Sequence, residues 1–206
     1  MNYSAFEISE MIGGSISNPS SVSINHVSTD SRSVQNSAST IFFALSSKSR
    51  NGHDFIPDLI SKGVKTFVVS VEYKIKDNTV TYIKISNTLQ GLQQFAAAHR
   101  AKYEIPVIGI TGSYGKTMVK EWLYQLLSPE YTICRSPKSF NSQIGVPLSV
   151  LLLNKSNNLA IFEAGISKVG EMEQLRKIIN PTIGVLTKMG EAHQSGFESD
   201  EQKLIE

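Results

Sequence analysis

Gly112-Ser113-Tyr114-Gly115-Lys116-Thr117 is the stretch of this chain whose residue types and order could act on a phosphate. Glycines let backbone N–H groups wrap an anion, and a helix starting at the end of the loop adds partial positive charge. A lysine there reaches the outer phosphates, and the hydroxyl beside it can ligate magnesium. Lys116 and Thr117 are therefore the candidate phosphate and metal residues, with Gly112, Ser113, Tyr114 and Gly115 as the cradle. The strict spacing G-x-x-x-x-G-K-[ST] fails once, because Ile110 stands five residues before Gly115 and the neighbouring glycine is Gly109.

Such a loop works only between a buried strand and a helix, and both are legible. Val107-Ile108-Gly109-Ile110 is an apolar run ending at Thr111, and Val119, Trp122, Leu123, Leu126 and Leu127 give the following helix an apolar face. Tyr131–Cys134, Leu159–Phe162 and Ile183–Leu186 are further apolar strands alternating with helical segments. This is the pattern of a parallel sheet with helices on both faces. Upstream, Val22–Ile24, Ile41–Leu45, Thr66–Val69 and Val80–Ile85 read as strands, and Asp54–Ile60 as a helix closed by Lys62-Gly63. The serine-rich stretch from Gly13 to Ser49 also permits a flexible region on composition alone. Leu92, Phe95, Ala96, His99 and Tyr103 form one helical stripe, which predicts a connecting helix with His99 as a structural residue. The predicted organisation is α/β throughout: a small domain over 1–86, a connecting helix over 87–104, and an incomplete parallel-sheet P-loop domain over 105–206.

Composition narrows the function classes. Of the 206 residues 40% are hydrophobic and 18% charged, as in an ordinary globular chain, and the net charge of +2 lacks the basic footprint of a nucleic-acid binder. The lone Cys134, read as buried filler, cannot form an internal disulfide, and the first cationic residue is Arg32, so no basic signal region precedes an apolar segment. No apolar run reaches the length of a membrane span. A cytoplasmic monomer with neither nucleic-acid nor membrane partners is expected.

The variant loop spacing, Gly109 to Thr117, resembles the ATP loop of the Mur ligases of peptidoglycan synthesis. Further stretches resemble that family in order: Asn141-Ser142-Gln143-Ile144-Gly145-Val146-Pro147, Glu163-Ala164-Gly165, Gly170-Glu171-Met172 and Thr187 to His193. In the first half, Thr29-Asp30-Ser31-Arg32, Ile41 to Leu45 and Asn51-Gly52-His53-Asp54-Phe55 resemble its UDP-substrate domain. The last of these, together with G-S-x-G-K-T-x-x-K-E, favours the member that joins D-alanyl-D-alanine to a UDP-N-acetylmuramoyl-tripeptide. Two departures stand out: Ser142 replaces a usual asparagine, and Thr187-Lys188 replaces a usual Thr-Asn.

The resemblance implies ATP and Mg2+ as cofactors, and a UDP-N-acetylmuramoyl-peptide and D-alanyl-D-alanine as the small-molecule partners. Lys116 would neutralise phosphates, and Thr117, Glu163 and His193 would serve magnesium ions. Asn141 would join the ATP site. Asp30, Ser31 and Arg32 would meet the uridine end of the substrate, with Lys48, Ser49 and Arg50 near its diphosphate. Family members also use a carbamylated lysine, which the register puts just past Glu206, and a third domain, so this chain is expected to bind ligands without turnover. A P-loop small-molecule kinase is the competing enzyme class, but it predicts the strict loop spacing and leaves the Asp30 to Phe55 motifs without a reason.

Overall fold

The computed structural model describes residues 1–47, 49–188, 190, 196–197 and 199–206. The chain divides into two compact units, Met1–Phe95 and Ala96–Glu206.

In the first unit, α1 (Ala5–Ile12) begins at a reciprocal cap. The Ser4 hydroxyl accepts from Glu7 N, while the Glu7 carboxylate accepts from Ser4 N. Gly13, at φ 64°, ends the helix in the left-handed conformation that glycine adopts without strain. A five-stranded sheet follows: β1 (Ser15–Ser17), β2 (His26–Ser28), β3 (Thr40–Phe43), β4 (Thr66–Ser70) and β5 (Thr81–Ile85), in the order β1-β5-β4-β3-β2. Only the β1–β5 pair is antiparallel. α2 (Ile56–Ser61) packs Ile56 and Leu59 against Phe42, Phe67 and Tyr82 on one side of the sheet. On the other, Phe43 stacks on Phe95, which also meets the Tyr3 ring edge-on.

The strand expected at Val22–Ile24 does not form. Ile24 makes a lone bridge with Tyr3, and β2 begins two residues later. The first turn of the helix expected from Asp54 is 3-10 in character, Gly52–Phe55, before α2 proper.

α3 (Thr88–Arg100) contains the boundary between the units, its second half belonging to the second. There β6 (Val107–Thr111), α4 (Lys116–Leu127), β7 (Ile133–Arg135), α5 (Gly145–Val150), β8 (Leu159–Glu163), α6 (Glu171–Ile179), β9 (Ile183–Leu186) and α7 (Asp200–Ile205) follow in turn. The four strands are all parallel, in the order β7-β8-β6-β9. Side chains alternate across a strand, so Ile108 and Ile110 face Val119, Leu123 and Leu127 of α4. Gly109 faces Ile179 and Pro181 on the opposite side. Helices therefore lie on both faces of β6, whereas the apolar run of β9 leaves Ile183 and Leu186 exposed.

The expected apolar face of α4 is only partly buried. Trp122 and Leu126 are 56% and 74% exposed, because the stripe packed on the sheet is the half-buried Val119, Leu123 and Leu127. His99 is buried, and its Nε2 lies 3.0 Å from the Leu153 carbonyl; burial pulls its pKa down to about 4. Arg100 donates to the carbonyls of Ile179, Asn180 and Tyr103, which anchors the end of α6. Cys134 is buried, and burial pushes its thiol up to about 12. Among the described residues no helix is long and apolar enough to cross a membrane.

Candidate functional site

The phosphate loop joins the carboxyl end of β6 to α4, where open parallel sheets place their ligands. Gly112 has φ 128°, and a Cβ there would lie 2.2 Å from Thr187 Oγ1, so the segment after β9 presses directly on the loop. Gly115, at φ 84°, has open space around it and turns the chain into α4. The Thr187 hydroxyl and N–H both donate to Thr111 O, at 3.0 and 2.8 Å. Ser113 N and Tyr114 N donate to Lys188 O, and Ser113 Oγ donates to Gly190 O. Those two loop amides thus have protein acceptors. The N–H groups that the helix cannot satisfy internally are those of its first turn, beginning at Lys116 and Thr117. The Lys116 ammonium donates to Gly112 O across the loop.

Glu163 ends β8 directly beside Ile110 of β6, and its side chain is fully buried. Thr117 Oγ1 donates to Glu163 Oε2 at 3.0 Å, and Asn141 Nδ2 to the same oxygen at 3.4 Å. Glu163 Oε1 has no hydrogen-bond donor; it faces Lys120 Nζ at 2.9 Å in an ion pair. Lys120 is itself fully buried and donates to Ser136 O at 2.9 Å and to Lys138 O. Ser136 Oγ in turn accepts from Glu163 N. The carboxylate is therefore held by three elements: α4, the end of β8 and the β7–α5 loop.

A magnesium ion fits this donor set. It prefers oxygen ligands and binds through one or two carboxylates together with phosphates and water. A buried carboxylate oxygen without a hydrogen bond, in a carboxylate bonded to a threonine hydroxyl at the mouth of a phosphate loop, supplies the protein share. Among the described residues no group of three or more His, Cys, Asp or Glu could hold a metal unaided. His193, the expected second metal ligand, lies outside the described residues.

The two departures from the resemblance act differently, one through the replaced side chain and one through the backbone. Ser142 Oγ accepts from Gly145 N at the start of α5. Position 188 serves the loop through its backbone carbonyl.

In the first unit, Asp30, Ser31 and Arg32 follow β2, and Ser49 and Arg50 follow β3, both at the carboxyl side of parallel strands. The Arg32 guanidinium grips the Asp30 carboxylate through Nε and through Nη2 at 2.6 Å, holding the Asp30 pKa down at about 2. The field of Arg50, on the loop after β3, lowers it further. Arg32 itself is exposed, with its guanidinium oriented by the pair. Arg50 is fixed by a tight turn in which Ser47 N donates to Arg50 O and Arg50 N to Ser47 Oγ. Lys48, expected beside them, lies outside the described residues.

Lys120, Ser136 and His53 carry no site role that the sequence alone predicts. His53 Nε2 accepts from Ser70 N, which puts its ring proton on Nδ1, 2.8 Å from Asn51 Oδ1, and burial lowers its pKa. The imidazole ties the loop after β3 to the end of β4. Gly52 beside it admits no side chain, since a Cβ would lie 2.5 Å from Leu45 O.

Comparison with known proteins places these features in context. Residues 23–100 match the family profile described as Mur ligase family, catalytic domain, and residues 110–204 match that described as Mur ligase middle domain. The chain is 32% identical to the UDP-N-acetylmuramoyl-tripeptide–D-alanyl-D-alanine ligase of Bacillus subtilis over 94% of its own length and 42% of that protein's. It is 34% identical to the ligase of the same name from Rickettsia prowazekii, over 98% of this chain and 44% of that one. Among solved structures, a crystal structure of MurF from Acinetobacter baumannii superposes with a TM-score of 0.92 at 25% identity, covering 100% of this chain and 45% of the other. MurF ligase from Thermotoga maritima in complex with ADP gives a TM-score of 0.77 at 28% identity, over 88% and 41%. The chain thus spans less than half the length of these relatives.

Proposed function

Because this chain belongs to the Mur ligase family, we propose that it provides the nucleotide-sugar and ATP sites of a MurF-type ligase, which joins D-alanyl-D-alanine to UDP-N-acetylmuramoyl-tripeptide. In this reading ATP phosphorylates the tripeptide carboxylate, and the dipeptide amine displaces phosphate from the resulting acyl phosphate to form the amide. Such a transfer needs positioned charge more than a covalent nucleophile. Lys116 meets the outer phosphates, and the first turn of α4 offers its N–H groups to them. Thr117 and Glu163 would hold magnesium, which supplies charge neutralisation at the phosphoryl oxygens. Asn141 bonds the Glu163 carboxylate and so keeps it turned toward Thr117.

The observation that carries this reading is the Thr117–Glu163 hydrogen bond at the phosphate loop, because it brings a hydroxyl and a buried carboxylate together where the phosphates would lie. Arg32, oriented by its pair with Asp30, and Arg50 on the loop after β3 are suited to a diphosphate. One chain carries both sites, so a monomer suffices, and the substrates are those of the cytoplasm.

Calorimetric titration tests the proposal. Mg·ATP and UDP-N-acetylmuramoyl-tripeptide should each saturate one site and should not displace one another. Failure of the tripeptide nucleotide to bind, or its displacement by ATP, would refute it.

A further inference from the structure

Lys120 is a fully buried ammonium one turn inside α4, and the phosphate-site reading gives it no part. Its hydrogen bonds go to two backbone carbonyls, Ser136 O and Lys138 O, whereas its contact with Glu163 Oε1 is an ion pair without a hydrogen bond. The β7–α5 loop therefore anchors the ammonium beside the carboxylate with which it is paired. A second pair, Arg135 with Glu121, lies beside it, with Glu121 Oε1 3.3 Å from Lys120 Nζ. The ion-paired charges around Glu163 are thus two cations, Lys120 and Arg135, against two carboxylates, Glu121 and Glu163.

We propose that Lys120 is a built-in counter-cation which keeps Glu163 from taking up a divalent metal alone, so that metal and nucleotide load together as one complex. The proposal rests on the reading of this loop as a metal–nucleotide site. A buried carboxylate with no counter-charge attracts a dication strongly, because the interior screens poorly. With Lys120 a few ångström away, the site offers no net negative charge to a free metal ion. A triphosphate supplies that charge, and the metal can then reach Oε1 without breaking any hydrogen bond of the carboxylate. Lys120 acts through Glu163 and is a positioning residue.

The test uses Mn2+ as the probe at pH 8, with free ion followed by electron paramagnetic resonance, on the wild-type chain, Lys120→Arg, Lys120→Met and Lys120→Gln. The glutamine retains a donor for the Ser136 and Lys138 carbonyls, which guards against a variant that fails to fold. Without nucleotide, the wild type and Lys120→Arg should leave Mn2+ free, whereas the neutral variants should bind it about tenfold or more tightly, as removal of a unit charge at this range allows. Adding Glu163→Gln to a neutral variant should abolish that binding. Mn·ATP should bind the wild type and the neutral variants within a few-fold of each other. A wild type that binds Mn2+ alone as tightly as the neutral variants would overturn the proposal. So would a folded neutral variant with no gain, the result expected of a purely structural lysine. If Mn·ATP fails to bind the wild type, the underlying site reading fails instead.

Discussion

Replacing Lys116 by alanine separates phosphate recognition from the rest of nucleotide binding. Without nucleotide its ammonium donates to Gly112 O, so engaging a phosphate exchanges one hydrogen bond for another. A charge-assisted bond to phosphate contributes about 1.5–3 kcal/mol, and the neutral acceptor given up returns about 0.5–1.5. The net loss on truncation is about 1–2 kcal/mol, or roughly 5- to 30-fold in ATP affinity. Adenosine offers nothing to Lys116, so its affinity should hold within about twofold, well below the tenfold that 1.4 kcal/mol would produce. Calorimetry with both ligands reads the difference directly. Equal weakening of ATP and adenosine would show that the substitution disturbed the loop as a whole and that Lys116 is not the phosphate contact.

Arg32→Ala and Ser31→Ala should weaken UDP-N-acetylmuramoyl-tripeptide binding while leaving ATP titrations unchanged; loss of ATP affinity with intact UDP-substrate binding would reverse the assignment of the units. Gly112→Ala should cost more stability and nucleotide affinity than Gly115→Ala, since both positions have positive φ but only the first drives a Cβ into Thr187, and denaturant melts of the two variants check the order. His99, with its pKa lowered from 6.5 to about 4 by burial, is neutral when folded and protonates first in the unfolded chain. Its contribution is therefore whole above pH 6.5 and falls by about 3 kcal/mol as the pH drops toward 4. Urea midpoints should fall across that range for the wild type and change much less for His99→Gln.

The second unit was more legible than the first because its central strands β6 and β8 are largely buried and read as continuous apolar runs, whereas β9, equally apolar in sequence, leaves Ile183 and Leu186 exposed. β6 and β8 agree with those runs within a residue. β7 lies two residues later than Tyr131, since the apolar character begins before the pairing with β8 does. In the first unit β1 and β2 are three-residue strands built of Ser, Ile, His and Val, too short and too polar for alternation to show. α1 left a usable signal in Ser4-x-x-Glu7 before an apolar stretch and Gly13 after it. α5 carries Pro147 in its first turn, which masks a helix from propensity alone. At the site, glycine order and the Lys-Thr pair announced the loop, whereas Lys120 stood in the motif G-S-x-G-K-T-x-x-K-E with no sign of what it does. A lysine on an amphipathic helix ordinarily faces water, and only the carbonyls of Ser136 and Lys138, distant in sequence, reveal that this one does not.

The pairing of β6 with both β8 and β9 sets a timetable for synthesis. Thr111 leaves the ribosome about 70 residues before Ile183 of β9 exists, which at 5–20 residues per second is roughly 4 to 14 s. Throughout that interval one edge of β6 has no strand to pair with. The acceptor for the Ser113 and Tyr114 amides, Lys188 O, arrives later still. The nascent chain therefore has no finished phosphate loop until synthesis has passed Lys188. ATP, however abundant, cannot guide the early collapse of this unit and can only stabilise it once assembled.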